Sequence, residues 1–176
     1  DSNITFAYIA RKKRDKGAFD VIRIFHKYHE INKNCKLLYL GPAEEEPTAE
    51  IKELKLKLGN AIISIDQLVD AKEFLSVSDV LLLPSYREGF GSIVINAASM
   101  GIPTIAYDIY GLQDSVSYHN GYLAEEGNEE DFVKLMQKIQ KTILSDRNQV
   151  NNNCINWAKN FTDSDFDQYF LDFHPK

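Results

Sequence analysis

Short apolar runs alternate with longer amphipathic runs along most of this chain, and that alternation constrains its fold more than any other feature. Ile4 to Ile9, Lys36 to Leu40, Ala61 to Ile65, Asp79 to Leu83, Thr104 to Tyr107 and Tyr122 to Ala124 read as six short strands. Between the first two, Lys16 to His29 carries Phe19, Val21, Ile22, Ile24, Phe25 and Tyr28 at helical spacing. Thr48 is placed to cap a helix reaching Leu58, with Ile51, Leu54 and Leu58 on one face. Asp66 is expected to cap a short helix that turns Leu68, Val69 and Phe74 inward. Gly91 to Met100 reads as a small-residue helix stopped by Gly101 and Pro103. Two more helices are expected near Glu129 to Leu144 and Gln149 to Asn160. Strands separated by helices imply a mostly parallel α/β sheet covered on both faces, and right-handed crossovers make it doubly wound. Such sheets bind ligands beyond the carboxyl ends of their strands, where the strand order reverses. The loops after Ile9, Leu40, Ile65 and Leu83 are therefore the places to look.

Composition narrows the function. A chain of 176 residues suits about one domain by a prior of ~100–200 residues each. A net charge of −6 argues against a general nucleic-acid binder, which needs a basic face, but leaves room for a single phosphate ligand. Cys35 and Cys154 stand far apart without CxxC spacing and read as free thiols of a reducing compartment. His26 and His29 share one expected helix, but nothing completes a metal set around them. No apolar stretch reaches the ~18 residues of a membrane helix, and no signal peptide is visible. The chain opens on Asp1 and reads as a fragment. Glu44-Glu45-Glu46 reads as solvated surface. Trp157, at helical spacing from Cys154 and Phe161, reads as core packing. Asp163, Asp165 and Asp167 have the spacing of a metal motif, but they fit better as the acidic start of a terminal helix, Asp165 to Phe173.

Two of the loops could carry chemistry. The first, Ala10 to Gly17, crowds five cations (Arg11, Lys12, Lys13, Arg14 and Lys16) between a strand end and a helix start. Cations there neutralise a phosphate, and the helix N-terminus adds roughly half a positive charge. Charge alone also fits a solvated basic loop. The second loop runs Pro84-Ser85-Tyr86-Arg87-Glu88-Gly89-Phe90-Gly91-Ser92. Its glycines let backbone approach a ligand, amides from Gly91, Ser92 and Ile93 can point at an anion, and Glu88 can accept hydrogen bonds from hydroxyls. Alone, it also fits a tight turn.

Taken together, the two loops resemble a known family. Pro84-Ser85-x-x-Glu88-Gly89-Phe90-Gly91, followed by Asn96-Ala97-Ala98-Ser99-Met100-Gly101-Ile102-Pro103, is similar to the signature of retaining family-four (group 1) glycosyltransferases of the GT-B fold. Arg11 and Lys16-Gly17 match that family's Arg-x4-Lys-Gly element. Tyr110-Gly111-Leu112-x-Asp114 and Asn120-Gly121-Tyr122-Leu123 match its downstream loop and turn, and the variant resembles bacterial surface-polysaccharide enzymes.

The resemblance implies a Rossmann-like, donor-binding half of a GT-B enzyme over residues 1–162. Residues 163–176 would form a helix crossing to an N-terminal domain outside this sequence. It implies that Arg11 and Lys16 hold the diphosphate of a nucleotide-sugar donor and that Glu88 binds the transferred sugar. The amides of Gly89, Phe90, Gly91, Ser92 and Ile93 would meet sugar and phosphate, and the base would lie by the backbone near Ile65. The family's second glutamate, which binds ribose, is replaced here by Asn96, which has one carbonyl oxygen and no charge. The implied reaction is sugar transfer to an acceptor hydroxyl with retention, without a metal or other cofactor. The acceptor, a saccharide or lipid-linked saccharide, would bind through the N-terminal domain, in a cytoplasmic enzyme peripheral to the inner face of the membrane. The isolated chain is then expected to bind donor without transfer. A non-catalytic nucleotide-sugar-binding module and a GT-B sugar-nucleotide epimerase are the alternatives.

Overall fold

A computed structural model describes residues 3–161. The expected helix over 163–176, with Asp163, Asp165 and Asp167, lies outside the described residues. The six strands fall where the apolar runs predict. They are β1 (Ile4–Ile9), β2 (Cys35–Leu40), β3 (Ile62–Ile65), β4 (Val80–Leu83), β5 (Thr104–Tyr107) and β6 (Gly121–Ala124). All pairings are parallel, in the order β3-β2-β1-β4-β5-β6. Strands β4 and β5 are buried at every position, which is why they read as unbroken apolar runs rather than alternating ones.

Helix α1 (Ala18–Ile31) and helix α2 (Ala49–Leu58) cover one face of the sheet. Ile4, Phe6 and Tyr8 of β1 meet Ile22, Phe25 and Tyr28 in the main core there. The Phe6 and Tyr28 rings meet edge to face at 5.1 Å. Helix α3 (Ala71–Leu75) and helix α4 (Ser92–Ser99) lie on the opposite face, where Leu75, Leu81, Ala97 and Ile102 form a separate cluster. Helix α5 (Glu129–Ala158) packs against both α1 and α4. Its backbone breaks at Asp146 (φ −153°, ψ 84°), whose carboxylate accepts the Gln149 amide and so caps the second half. The two expected helices are thus both present, meeting at a kink where Asp146 caps the second.

Two expectations are corrected. Asp66 does not cap α3; Asp70 does, its side chain accepting from the Lys72 amide, while Asp66 is paired with Lys12. Leu68 points to solvent, 86% exposed, whereas Val69 and Phe74 pack inward against Ala7, Leu38 and Leu40 as expected.

Candidate functional site

The strand order reverses between β1 and β4, so the loops that follow these two strands face each other across the crevice. The basic loop is held from below. The Tyr8 hydroxyl lies 3.2 Å from the Arg11 carbonyl and 3.1 Å from the Lys16 carbonyl, gathering both ends of the loop. Burial pushes that phenol's pKa well up, so it stays a neutral donor. The loop closes with a short 3-10 turn, Arg14–Lys16, and then Gly17 at φ 67°. Any Cβ on Gly17 would strike the Pro84 carbonyl, so a glycine here lets the two loops touch.

The contact continues along the second loop. The Tyr86 amide donates to the Asp15 carbonyl at 2.9 Å. The Ser85 hydroxyl lies 3.2 Å from the carbonyls of Asp15 and Arg87. Lys16 Nζ donates to the Arg87 carbonyl at 2.7 Å and to Glu88 Oε1 at 2.8 Å. Behind Glu88, the backbone of Gly111 is packed so close to the carbonyls of Glu88 and Gly89 that no side chain fits. Gly91, at φ 68°, turns the chain into α4 against Leu112 and Ser115. The amides of Ser92 and Ile93 open that helix and have no carbonyl behind them within it.

Lys16, Glu88 and the start of α4 are therefore brought together. The other expected residues sit as follows. Arg11 is exposed and paired with Glu44 at 3.4 Å. The Phe90 ring turns to Phe161 at 5.4 Å and begins an aromatic row through Trp157, whose indole also donates to the Ser115 carbonyl. Ser92 and Asn96 are exposed one turn apart on α4. The Ile65 carbonyl accepts both the Gly41 amide at 3.0 Å and Lys12 Nζ at 2.9 Å. The acidic run Glu44 to Glu46 lies at the surface as expected, and there Glu44 pairs with Arg11 and Glu45 with Arg14, across to the basic loop.

Two groups escaped the sequence reading. Lys12, counted there as one more loop cation, is 3% exposed and bonded into the sheet end. Asp20 is buried on α1, where it pairs with Arg23 and accepts from the hydroxyls of Tyr86 and Tyr107. Burial, reinforced by Asp20, pushes the Tyr86 phenol up to about 12. This anchors the second loop to α1. A lone carboxylate inside the apolar stretch Ala18 to Ile24 was the available signal. Among the described residues, no group of three or more His, Cys, Asp or Glu could hold a metal ion. No described helix is long and apolar enough to cross a membrane.

The profile of the family described as "Glycosyl transferases group 1" matches residues 1–160. The chain belongs to that family. The capsular polysaccharide biosynthesis glycosyltransferase CapM of Staphylococcus aureus is 30% identical over 145 residues, which cover 81% of this chain and 37% of CapM. In structure, HepE of Anabaena, solved with UDP and glucose, matches with a TM-score of 0.78 at 19% identity, covering 98% of this chain and 48% of HepE. The C-terminal domain of LpcC, a group 1 glycosyl transferase of Francisella tularensis, matches with a TM-score of 0.71 at 21% identity, covering 89% and 85%. At these identities the two structural matches speak for the fold alone. This group 1 chain spans about a third of the length of the curated relatives it matches.

Proposed function

We propose that this group 1 domain binds the nucleotide-diphosphate sugar of a retaining glycosyltransferase of bacterial surface-polysaccharide synthesis. The observation that carries this reading is the Lys16–Glu88 contact beside the first turn of α4, at the reversal of strand order. Glu88 offers a carboxylate to sugar hydroxyls, and Lys16 with the α4 amides offers positive charge to the adjoining diphosphate. Arg11 reaches the diphosphate by exchanging its exposed pairing with Glu44, a cheap exchange because such surface pairs contribute only about 0–1 kcal/mol. Base and ribose lie toward the turn at Ile65 and Asp66 and toward Asn96.

As the glycosidic bond breaks, negative charge grows on the departing diphosphate. Preorganised cations and amides stabilise that charge more in the transition state than in the ground state, which replaces a metal. The acceptor hydroxyl attacks from the same face, without a protein nucleophile, and comes from a partner domain of the whole enzyme. That enzyme is cytoplasmic, at the inner face of the membrane. HepE, solved with UDP and glucose, supports a nucleotide-sugar ligand for this fold.

Thermal-shift screening of UDP, GDP, ADP and their sugars against this chain tests the reading, because a bound ligand stabilises the fold by mass action. The expected result is stabilisation by one nucleotide series, with no sugar transfer by the chain alone and metal-independent transfer by the whole enzyme in EDTA. A chain that no nucleotide stabilises would overturn it. Nucleotide binding without transfer by the whole enzyme would leave a binding module, and inversion of the sugar's own stereocentre an epimerase.

A further inference from the structure

Lys12 ties together the ends of three strands. Its amide donates to the Pro42 carbonyl at 2.7 Å, and its own carbonyl accepts from the amides of Glu44 and Glu45 at 3.2 and 3.1 Å. These bonds join the loop after β1 to the loop after β2. Its ammonium then passes beneath, over the Tyr39 ring at 4.2 Å, to reach the end of β3. There it donates to the Ile65 carbonyl at 2.9 Å and the Ser64 hydroxyl at 3.2 Å, and it pairs with Asp66. All three of its protons are used.

A buried ammonium is costly, and burial lowers the pKa of this one against the pull of Asp66. An uncharged stem of similar length would fill the same space, so packing alone does not call for a lysine. What the charge adds is a fixed link between the basic loop and the Ile65–Asp66 turn. We propose that Lys12 is a positioning residue. It holds the nucleoside-facing turn of β3 at a set distance from the diphosphate clamp, so that the two parts of the ligand are bound as one. This rests on the nucleotide-sugar reading above.

The test compares ligands with and without a nucleoside. UDP, GDP, ADP and inorganic pyrophosphate are titrated calorimetrically into the wild-type chain, Lys12→Met and Asp66→Asn. For the nucleotide that the wild type binds most tightly, Lys12→Met is expected to weaken binding tenfold or more while pyrophosphate binding changes less than twofold. Asp66→Asn, whose carboxylate is 58% exposed and carries little of the fold, is expected to change in the same direction by a smaller factor. Equal losses for nucleotide and pyrophosphate would reduce Lys12 to general support of the fold and overturn the proposal, as would no loss of either. Should Lys12→Met not fold, Asp66→Asn decides by the same comparison. A wild type that binds no nucleotide brings down the functional reading and this proposal together; nucleotide binding that survives in both variants removes only the role of Lys12.

Discussion

Lys16 Nζ lies 2.8 Å from Glu88 Oε1, although the two residues stand 72 positions apart in the chain. Both side chains are mostly shielded from solvent, 16% and 17% exposed, so this is not a screened surface pair. Removing the cation leaves a shielded carboxylate where the proposed donor's diphosphate would lie. Lys16→Met is expected to weaken nucleotide-diphosphate binding at least tenfold, as the loss of a charge-assisted bond of about 1.5–3 kcal/mol implies. Calorimetric titration of the diphosphate that stabilises the wild type measures it. An affinity within twofold of wild type would remove Lys16 from the clamp.

Gly111 has no room for a side chain against the carbonyls of Glu88 and Gly89. Gly111→Ala must displace the Glu88–Gly89 turn or its own. The expected cost in stability is about 1–3 kcal/mol, the usual range for overpacking, read as a lower urea midpoint. Nucleotide-sugar binding should fall more than binding of the bare nucleotide, because the displaced turn carries Glu88. A variant with unchanged midpoint and unchanged sugar preference would show that the loop simply yields.

Asn96 faces solvent one turn beyond Ser92, where the group 1 signature carries glutamate. In the proposed reading the amide would meet ribose with a single neutral acceptor. Asn96→Glu is expected to bind the nucleotide as tightly or up to about tenfold tighter, a gain of ~1.4 kcal/mol. Titration of the two proteins under one set of salt conditions checks this. A large loss would mean that the ribose lies elsewhere.

Cys35 and Cys154 are both buried, and burial pushes each thiol from its ordinary 9.0 up to about 12. Because the folded pKa is raised, the stability these thiols contribute is fully present below about pH 9. It is lost as pH rises toward about 12, where the unfolded chain has already released both protons. The urea midpoint should therefore fall steadily above pH 9. At pH 8 the native protein should resist a thiol-reactive dye that labels both cysteines at once in urea; rapid labelling of the folded chain would contradict this.

The strands were legible because their burial is local information: Leu37 to Leu40 and Val80 to Leu83 are apolar without interruption, as strands covered on both faces must be. Helix caps were legible where nothing distant competes, as at Thr48, which accepts from Ile51. Asp66 failed as a cap because its carboxylate is taken by Lys12, 54 residues earlier, and no periodicity registers that bond. The pairing of Glu44 with Arg11 and of Glu45 with Arg14 is equally non-local. Leu68 misses the core because the helix begins at Ala71, four positions later than a cap at Asp66 implies. At the site, Lys16 and Glu88 could be named from paired motifs. The devices that join their loops, the Tyr8 hydroxyl, the Asp20 anchor and the lack of space at Gly17 and Gly111, exist only across the assembled sheet.

Strands β1 and β4 meet over only two partnered positions, Phe6 with Val80 and Ala7 with Leu81. Everything between them in sequence, α1 through α3, must be gathered before that seam can close. Closing so long a segment is an entropic step that precedes its reward, so contacts across the seam form late. On the nucleotide-binding reading, a refolding chain is expected to regain its helical signal first, and ligand affinity only when the seam is sealed.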